Sequence, residues 1–202
     1  MAGNPQPDVD RRVRVQARQV YTYSEAIRLG YENKEAATRL VIDGLEYLNT
    51  VCRHREKGWV HRIAADGTVI DDKRDLYDHA FIMLAGAAAY HALNRADALE
   101  LAEEALAFID RELSDPRFGG FFEVLPRSEK ALRRANPHMH LLEAFLTLFA
   151  ATSDDIFLER ATGIVELFEH KFFDPTLDIL IEHFNTDWSP AAGDKGRCFE
   201  PG

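Results

Sequence analysis

The sequence predicts an all-α fold in which two kinds of helix alternate, as they do in an (α/α) toroid. Three observations support this prediction: nearly uncharged helical segments are each followed by an amphipathic one, short strand-like segments separate the pairs, and the pairs recur about every 60 residues. A helix that is apolar all round is normally buried, and an amphipathic helix covers it. The uncharged helices would therefore form an inner ring around a central pocket. The competing interpretation, an α-solenoid scaffold, usually has a shorter period of roughly 33–47 residues.

The chain contains three such helix pairs. In the second pair, the apolar run carries only one charged residue, Asp78, and in the third the only formal charge is Glu143. The amphipathic partners place charged side chains on one side and an apolar stripe on the other. The predicted pairs are Val13–Leu29 with Lys34–Leu48, Tyr77–Leu93 with Asp97–Leu113, and Pro137–Thr152 with Asp155–Phe173.

The segments between the pairs are predicted to form short β-hairpins that cap one end of the helical layer. An Asp-Gly dipeptide between alternating residues is a strong hairpin signal, and Asp66-Gly67 lies at the centre of the first segment. The second segment contains Gly119-Gly120. The three predicted hairpins are Gly58–Ile70, Arg117–Leu125 and Leu177–Trp188.

The repeat also has a recognisable register. Ala2-Gly3-Asn4 followed by Asp10-Arg11 matches Ala65-Asp66-Gly67 followed by Lys73-Arg74, at an offset of about 63 residues. In this register the chain begins inside a hairpin. Its 202 residues then hold about three helix pairs. We therefore expect residues 1–202 to form one domain, a partial barrel.

Composition excludes several classes of protein. There are 34 acidic and 24 basic residues, and the resulting charge of −10 is unsuited to binding nucleic acid. Residues 1–12 lack the apolar core of a secretory signal, and the longest uncharged run, His79–Asn94, is too short to span a bilayer. Cys52 and Cys198 suggest neither a disulfide framework nor a metal site. We expect a cytoplasmic protein without nucleic-acid or membrane partners.

The strongest candidate site lies on the third uncharged helix. Asn136 followed by Pro137 predicts an N-cap and a helix start. Four polar residues then share one face within about 60° of arc, namely Asn136, His140, Glu143 and Thr147. This stripe either lines a buried polar pocket or faces solvent. Its single charge favours the pocket, because the solvent-facing helices here carry many charges.

The other two inner helices supply two further candidates, Arg18, which is a charge within an apolar-rich run, and Tyr77. Taken singly, each has a simpler structural interpretation, as an exposed first-turn charge and a packed core aromatic. His79, His91 and His138 are expected to be core or capping residues. His138 and His140 lie about 200° apart on a helix and so cannot bind one metal ion together. No role is assigned to the histidines of the outer or connecting segments, which are His54, His61, His170 and His183.

Several segments, in order and spacing, resemble the N-acylglucosamine 2-epimerase family, which includes mannose isomerases and cellobiose 2-epimerases. The most specific is Asn136–Ala144, which reads Asn-Pro-His-Met-His-Leu-Leu-Glu-Ala. The others are Arg18-Gln19, Asp71–Ala85, Gly119–Glu123 and Arg197–Gly202. The resemblance covers essentially the whole chain and implies an (α/α)6 barrel.

The resemblance also implies a chemistry, cofactor-free and metal-free, on a reducing sugar that passes through a cis-enediol. His140 and Arg18 would be catalytic: the histidine would assist ring opening or proton transfer, and the arginine would stabilise developing negative charge. Tyr77 and Asn136 would hydrogen-bond sugar hydroxyls, and Glu143 would bind or orient beside them. Aldose–ketose isomerisation of mannose-type sugars is favoured over 2-epimerisation of N-acylglucosamine or another reducing sugar.

The chain departs from the family pattern in one respect. In the family, a catalytic histidine directly follows the Glu-Pro-Gly motif and a second lies near the far end of the barrel, whereas this sequence ends at Gly202. Three interpretations follow: part of an enzyme that is inactive alone, a chain that self-associates or pairs with the missing barrel half, or a non-catalytic module that binds a sugar or a protein. The first is preferred.

Overall fold

The computed structural model describes residues 8–128 and 131–193. The three predicted helix pairs are confirmed there. The second and third outer helices each continue into one π-helical turn, Ile109–Leu113 and Phe168–Phe172, which accounts for their longer predicted extents. The helices are α1 Val13–Arg28, α2 Lys34–Thr50, α3 Leu76–Leu93, α4 Ala96–Phe108, α5 Ala135–Thr152 and α6 Asp155–Leu167.

The helices form two layers. Helices α1, α3 and α5 lie side by side, with α3 in contact with both of the others. Helices α2, α4 and α6 each pack on the inner helix that precedes them. From Leu76 to Ala89, every residue of α3 except Tyr77 is buried, as an inner helix with neighbours on several sides requires. Within the described residues, none of the helices has the length and hydropathy needed to cross a bilayer.

Very short strands close each helix pair at one end. The strand before an inner helix pairs, antiparallel, with the strand after its outer helix, so that β1 pairs with β2, β4 with β5 and β6 with β9. In addition β3 pairs with β2, and β8 with β7. The strands are β1 Arg11–Arg12, β2 Arg62–Ile63, β3 Val69–Asp71, β4 Arg74–Asp75, β5 Val124–Leu125, β6 Arg133–Arg134, β7 Phe173–Asp174, β8 Ile179–Leu180 and β9 His183–Phe184.

Two of the three predicted hairpins are present and the second is wrong. The first, between β2 and β3, turns at Gly67 with a φ of +90°. The third is displaced: it runs from Phe173 to Leu180, and His183–Phe184, in the remainder of the predicted segment, pairs with β6. In the second segment, however, Val124–Leu125 pairs with β4, and Gly119-Gly120 forms a turn within a separate bridge. Val124–Leu125 pairs with β4 because the backbone N–H and C=O groups of β4 require hydrogen-bonding partners.

The predicted repeat register is confirmed over the described residues. The strands that precede the inner helices begin with Arg11, Arg74 and Arg133, at intervals of 63 and 59 residues. The segment Ala2-Gly3-Asn4 and the terminal segment Arg197–Gly202 lie outside the described residues.

Two histidines join the hairpin layer to the inner helices in the same way. In His79 and in His138, Nδ1 contacts the main-chain carbonyl four residues earlier, at 2.7 and 3.0 Å. Their Nε2 atoms accept the N–H groups of Trp59 and Phe121, both at 3.2 Å. Both side chains are fully buried, and burial lowers the pKa of each to about 4. These are the structural histidines that the sequence predicts.

Candidate active site

Inner helices α3 and α5 bring Tyr77 and His140 together. The ring centroid of His140 lies 5.0 Å from that of Tyr77 and 4.4 Å from that of Phe81. Tyr77 stands in the first turn of α3, and Phe81 follows one turn later on the same face. The imidazole is therefore held between aromatic rings of the neighbouring helix. We call the five candidate site residues the polar face; they are Arg18, Tyr77, Asn136, His140 and Glu143.

His140 is oriented by a carboxylate on its own helix. Its Nδ1 lies 2.5 Å from Oε2 of Glu143, and the two side chains are 13% and 57% exposed. Because a carboxylate accepts, this contact favours a proton on Nδ1 and leaves Nε2 with a lone pair. Nε2 is itself buried and has no hydrogen-bond partner. This arrangement is suited to accepting a proton from a ligand.

Arg18 reaches the polar face from α1. Its guanidinium carbon lies 5.2 Å from the ring centroid of Phe81, which also contacts His140. Across the described residues, no carboxylate forms an ion pair with Arg18. An exposed guanidinium without a counter-ion is available to a ligand oxygen that carries negative charge.

Asn136 does not cap α5, so this prediction is wrong. The helix begins one residue earlier, at Ala135, because β6 pairs with β9 and the N–H of Ala135 donates to the carbonyl of Glu182. Asn136 is therefore inside the first turn. Its side chain is buried, and Oδ1 has no hydrogen-bond partner. A buried amide oxygen without a donor is costly, and a ligand hydroxyl would satisfy it.

The polar stripe of α5 is buried at one end and exposed to solvent at the other. Asn136 is buried and His140 is mostly buried, whereas Glu143 is more than half exposed. The hydroxyl of Thr147 donates to the carbonyl of Glu143 at 2.8 Å, an intrahelical bond. The stripe is therefore not a uniform solvent face, and the pocket that it was predicted to line stays a prediction.

Tyr77 is surrounded by positive charge. The guanidinium carbons of Arg14 and Arg134 lie 4.8 and 5.6 Å from its ring centroid. Burial raises the pKa of Tyr77, and the nearby cations Arg14, Arg18 and Arg134 oppose this only in part. The hydroxyl therefore stays protonated near neutral pH and can both donate and accept hydrogen bonds.

Comparison with known proteins decides the family. The family model described as N-acylglucosamine 2-epimerase (GlcNAc 2-epimerase) matches residues 1–202. The chain belongs to the N-acylglucosamine 2-epimerase family. This epimerase-family chain is 35% identical over 178 residues to the D-mannose isomerase of Thermobifida fusca, covering 84% of the chain and 44% of that relative. It is 34% identical over 209 residues to the mannose-6-phosphate isomerase of Rhizobium meliloti, covering 100% of the chain and 52% of the relative.

Solved structures agree with this assignment. The cellobiose 2-epimerase of Spirochaeta thermophila superposes with a TM-score of 0.84 at 26% identity, covering 94% of this chain and 50% of that structure. The epimerase-family chain thus spans about half the length of the relatives it matches. The described residues fold as part of an (α/α)6 barrel, which confirms the predicted fold class and the resemblance.

Sequence reasoning missed two buried carboxylates close to the polar face of this epimerase-family chain. Asp78 is fully buried, and one of its oxygens lies 2.6 Å from Nδ1 of His61, a histidine to which no role was assigned. Burial raises the pKa of Asp78, and the hydrogen bond from His61 opposes the rise. The available signal was a lone carboxylate on an otherwise uncharged helix, because a buried charge needs a partner.

Glu123 is the other missed carboxylate. Its Oε2 accepts the main-chain N–H of Arg134 at 3.1 Å, and its Oε1 accepts that residue's Nε–H at 2.5 Å. Burial raises the pKa of Glu123 to about 7, while the Arg134 charge acts in the opposite direction. No local spacing links these two residues, which come from different segments of the chain.

Proposed function

We propose that the polar face binds a reducing sugar of the mannose type and contributes to its aldose–ketose isomerisation without a cofactor. One observation carries the proposal: His140 has its Nδ1 held by Glu143 and its Nε2 buried without a partner, beside Tyr77. The family membership and the two isomerase relatives support it.

In this proposal, His140 is the base that serves the open-chain sugar. Nε2 takes the proton from C2 of mannose, and the electron pair moves to form a cis-enediolate. A proton then moves from O2 to O1, and return of a proton to C1 gives fructose, so that no atom or electron is gained or lost. A positioned histidine that acts as a general base typically contributes about 10²–10⁴-fold to such a step.

The other residues of the polar face would bind and stabilise. Arg18, which has no carboxylate partner among the described residues, would stabilise the oxygen on which negative charge develops. Tyr77 and Asn136 would hydrogen-bond sugar hydroxyls. Glu143 would keep the imidazole in the tautomer that accepts at Nε2.

The binding step can be tested on the 202-residue chain itself. We expect NMR signals of His140 and Tyr77 to shift on addition of D-mannose, D-fructose or mannose 6-phosphate. Comparing the last with mannose shows whether a phosphorylated sugar is preferred. We expect His140→Gln to weaken this binding. If none of these sugars moves either signal, the proposal is wrong.

Catalysis is tested on the gene product as the organism makes it, incubated with D-mannose in D₂O. Fructose that carries deuterium at C1 is the expected product. Glucose with deuterium at C2 would instead assign 2-epimerisation. We expect the 202-residue chain alone to bind without turnover; rapid turnover by it would contradict the expectation that further histidines are required. Binding without turnover in both proteins would identify a sugar-binding module.

A further inference from the structure

Guanidinium groups from two other helix pairs lie over the ring of Tyr77. Arg14 belongs to α1 and approaches to 4.8 Å, whereas Arg134 belongs to β6, immediately before α5, and approaches to 5.6 Å. Both distances lie within the roughly 6 Å over which a cation and an aromatic ring attract each other. Because α3 lies between α1 and α5, Tyr77 receives one guanidinium from each neighbouring pair.

The Arg14 guanidinium is held by Asp78. A terminal nitrogen of Arg14 lies 3.6 Å from Oδ1 of Asp78, whose side chain is 0% exposed. The other oxygen of Asp78 is held at 2.6 Å by Nδ1 of His61. Oδ1 has no hydrogen-bond donor, so the Arg14 charge is its closest compensation. Arg14 is therefore constrained at one end by Asp78 and on one side by Tyr77.

The Arg134 guanidinium is held by Glu123. The carboxylate accepts from both the main-chain N–H and the side chain of Arg134, so that it fixes the residue at two points. A second carboxylate, Asp75, lies 3.8 Å from the guanidinium. Asp75 also accepts the main-chain N–H of Tyr77 at 2.9 Å, which ties this cluster to the start of α3.

We propose that Asp78 and Glu123 are positioning residues, which hold Arg14 and Arg134 against the Tyr77 ring and thereby fix the Tyr77 hydroxyl for its ligand. The three arginines of the site then divide into two that are anchored and one, Arg18, that is left to contact the ligand. Burial of ion pairs is weak evidence for stability, because desolvation offsets the attraction. Both ion pairs converge on the Tyr77 ring, so positioning that ring is a role that can explain why these charged groups are buried despite the cost of desolvation. The part of this inference that concerns sugar rests on the proposed function.

Two isosteric variants, Asp78→Asn and Glu123→Gln, test the inference in the 202-residue chain. The first readout needs no sugar: the NMR signals of the arginine Nε–H groups, which the Tyr77 ring shifts. We expect Asp78→Asn to move the Arg14 signal and Glu123→Gln to move the Arg134 signal, each toward its position in Tyr77→Leu. The second readout is the Kd for D-mannose, expected to rise about tenfold in each variant, as the loss of one ligand hydrogen bond would produce.

A matched control comes from the adjacent arginine. Arg133 pairs with Asp115, and the two side chains are only 2% and 4% exposed, yet its guanidinium lies over Phe122 and Trp188 instead of Tyr77. Asp115→Asn should leave both arginine signals and the sugar Kd unchanged. Where a carboxylate variant does not fold, Arg14→Lys and Arg134→Lys replace it and are followed by the NMR signals of the Tyr77 ring and by the Kd, because lysine keeps the charge but loses the planar contact with the ring.

The outcomes separate the two proposals. Arginine signals that stay at their wild-type positions in both carboxylate variants overturn the anchoring. Signals that move while the wild-type Kd for mannose is retained overturn the link to ligand binding. If the wild-type chain binds no sugar but the signals move as expected, the proposed function fails and the anchoring of Tyr77 stands.

Discussion

At the scale of single residues, the two buried histidines make the fold sensitive to acid. His79 and His138 have pKa values near 4 in the folded chain, against about 6.5 when unfolded. Between these values the unfolded chain binds the extra protons, so their contribution to stability is complete above about pH 6.5 and is lost as the pH falls toward 4. The loss is on the order of 3 kcal/mol for each histidine.

Glu123 acts in the opposite direction over the same range. Its pKa is raised to about 7, so the folded chain holds a proton that the unfolded chain releases above about pH 4.5, and stability rises on acidification. A comparison with variants is therefore needed. In urea titrations between pH 7 and pH 4.5, His138→Gln should lose less stability than wild type, and Glu123→Gln should lose more. Parallel pH curves for all three proteins would contradict both assignments.

Substitutions at His140 and Glu143 should separate the base from its orienting group. In the gene product as the organism makes it, the proposed function predicts that His140→Gln lowers kcat by about 100-fold or more, the usual share of a general base. Glu143→Gln should lower kcat only about tenfold with little change in KM, because this carboxylate is 57% exposed and acts through His140. Equal losses in the two variants would contradict this division. Steady-state kinetics with D-mannose provides the measurement.

Local patterns predicted part of the site, and distant contacts account for the remainder. The His140–Glu143 contact follows from a spacing of three residues on a helix, which the sequence displays directly. The anchoring of Arg134 by Glu123 joins segments 11 residues apart through a strand and a loop, and no periodicity marks it. The N-cap prediction at Asn136 failed for a related reason, because long-range pairing of β6 with β9 sets the helix start.

At the scale of elements, two helical glycines have opposite surroundings. A Cβ at Gly86 of α3 would lie 2.6 Å from the carbonyl oxygen of Ala98 and 2.9 Å from the nitrogen of Ala102, whereas a Cβ at Gly163 of α6 would meet nothing within 4 Å. We expect Gly86→Ala to destabilise the chain by about 1–3 kcal/mol, since backbone atoms of α4 must move. Gly163→Ala should stabilise it by roughly 0.5–1 kcal/mol through helix propensity.

Chemical denaturation of both glycine variants measures this difference. Together they test whether α3 and α4 are in backbone contact at Gly86. A Gly86→Ala protein as stable as Gly163→Ala would mean that the two helices are further apart than the structure shows.

Helices were easier to predict than strands for a physical reason. A helix of four or five turns repeats its apolar pattern several times, so its extent and its buried side can both be read from the sequence. The strands here have only two or three residues, too few for any alternation, and their partners lie as far away as Arg11 and Ile63. The first hairpin was therefore predicted correctly from its Asp-Gly turn, whereas the second was wrong and the third was displaced along the chain.

At the scale of the whole molecule, protection of backbone amides against hydrogen exchange is expected to be greatest in α3, at the centre of the inner layer. Among the described helices, α3 alone has inner neighbours on both sides, while α1 exposes Val15 and α5 exposes Leu146, at 43% and 45%. Local opening of α1 or α5 disturbs fewer contacts than opening of α3. Hydrogen exchange measured by mass spectrometry should therefore be slowest in peptides from α3. Exchange in α3 that is as fast as in α1 and α5, or faster, would contradict the placement of α3 between them.

The pairing of strands across each helix pair has a consequence for how such a chain can be assembled. Arg11 meets Ile63, Arg74 meets Leu125, and Arg133 meets Phe184, so that every unit enters and leaves the layer at the same place. A block whose two ends touch can be copied or removed at the level of the gene without rerouting the rest of the chain. The architecture is thus suited to growth by duplication, with each new copy adding one helix to the inner surface.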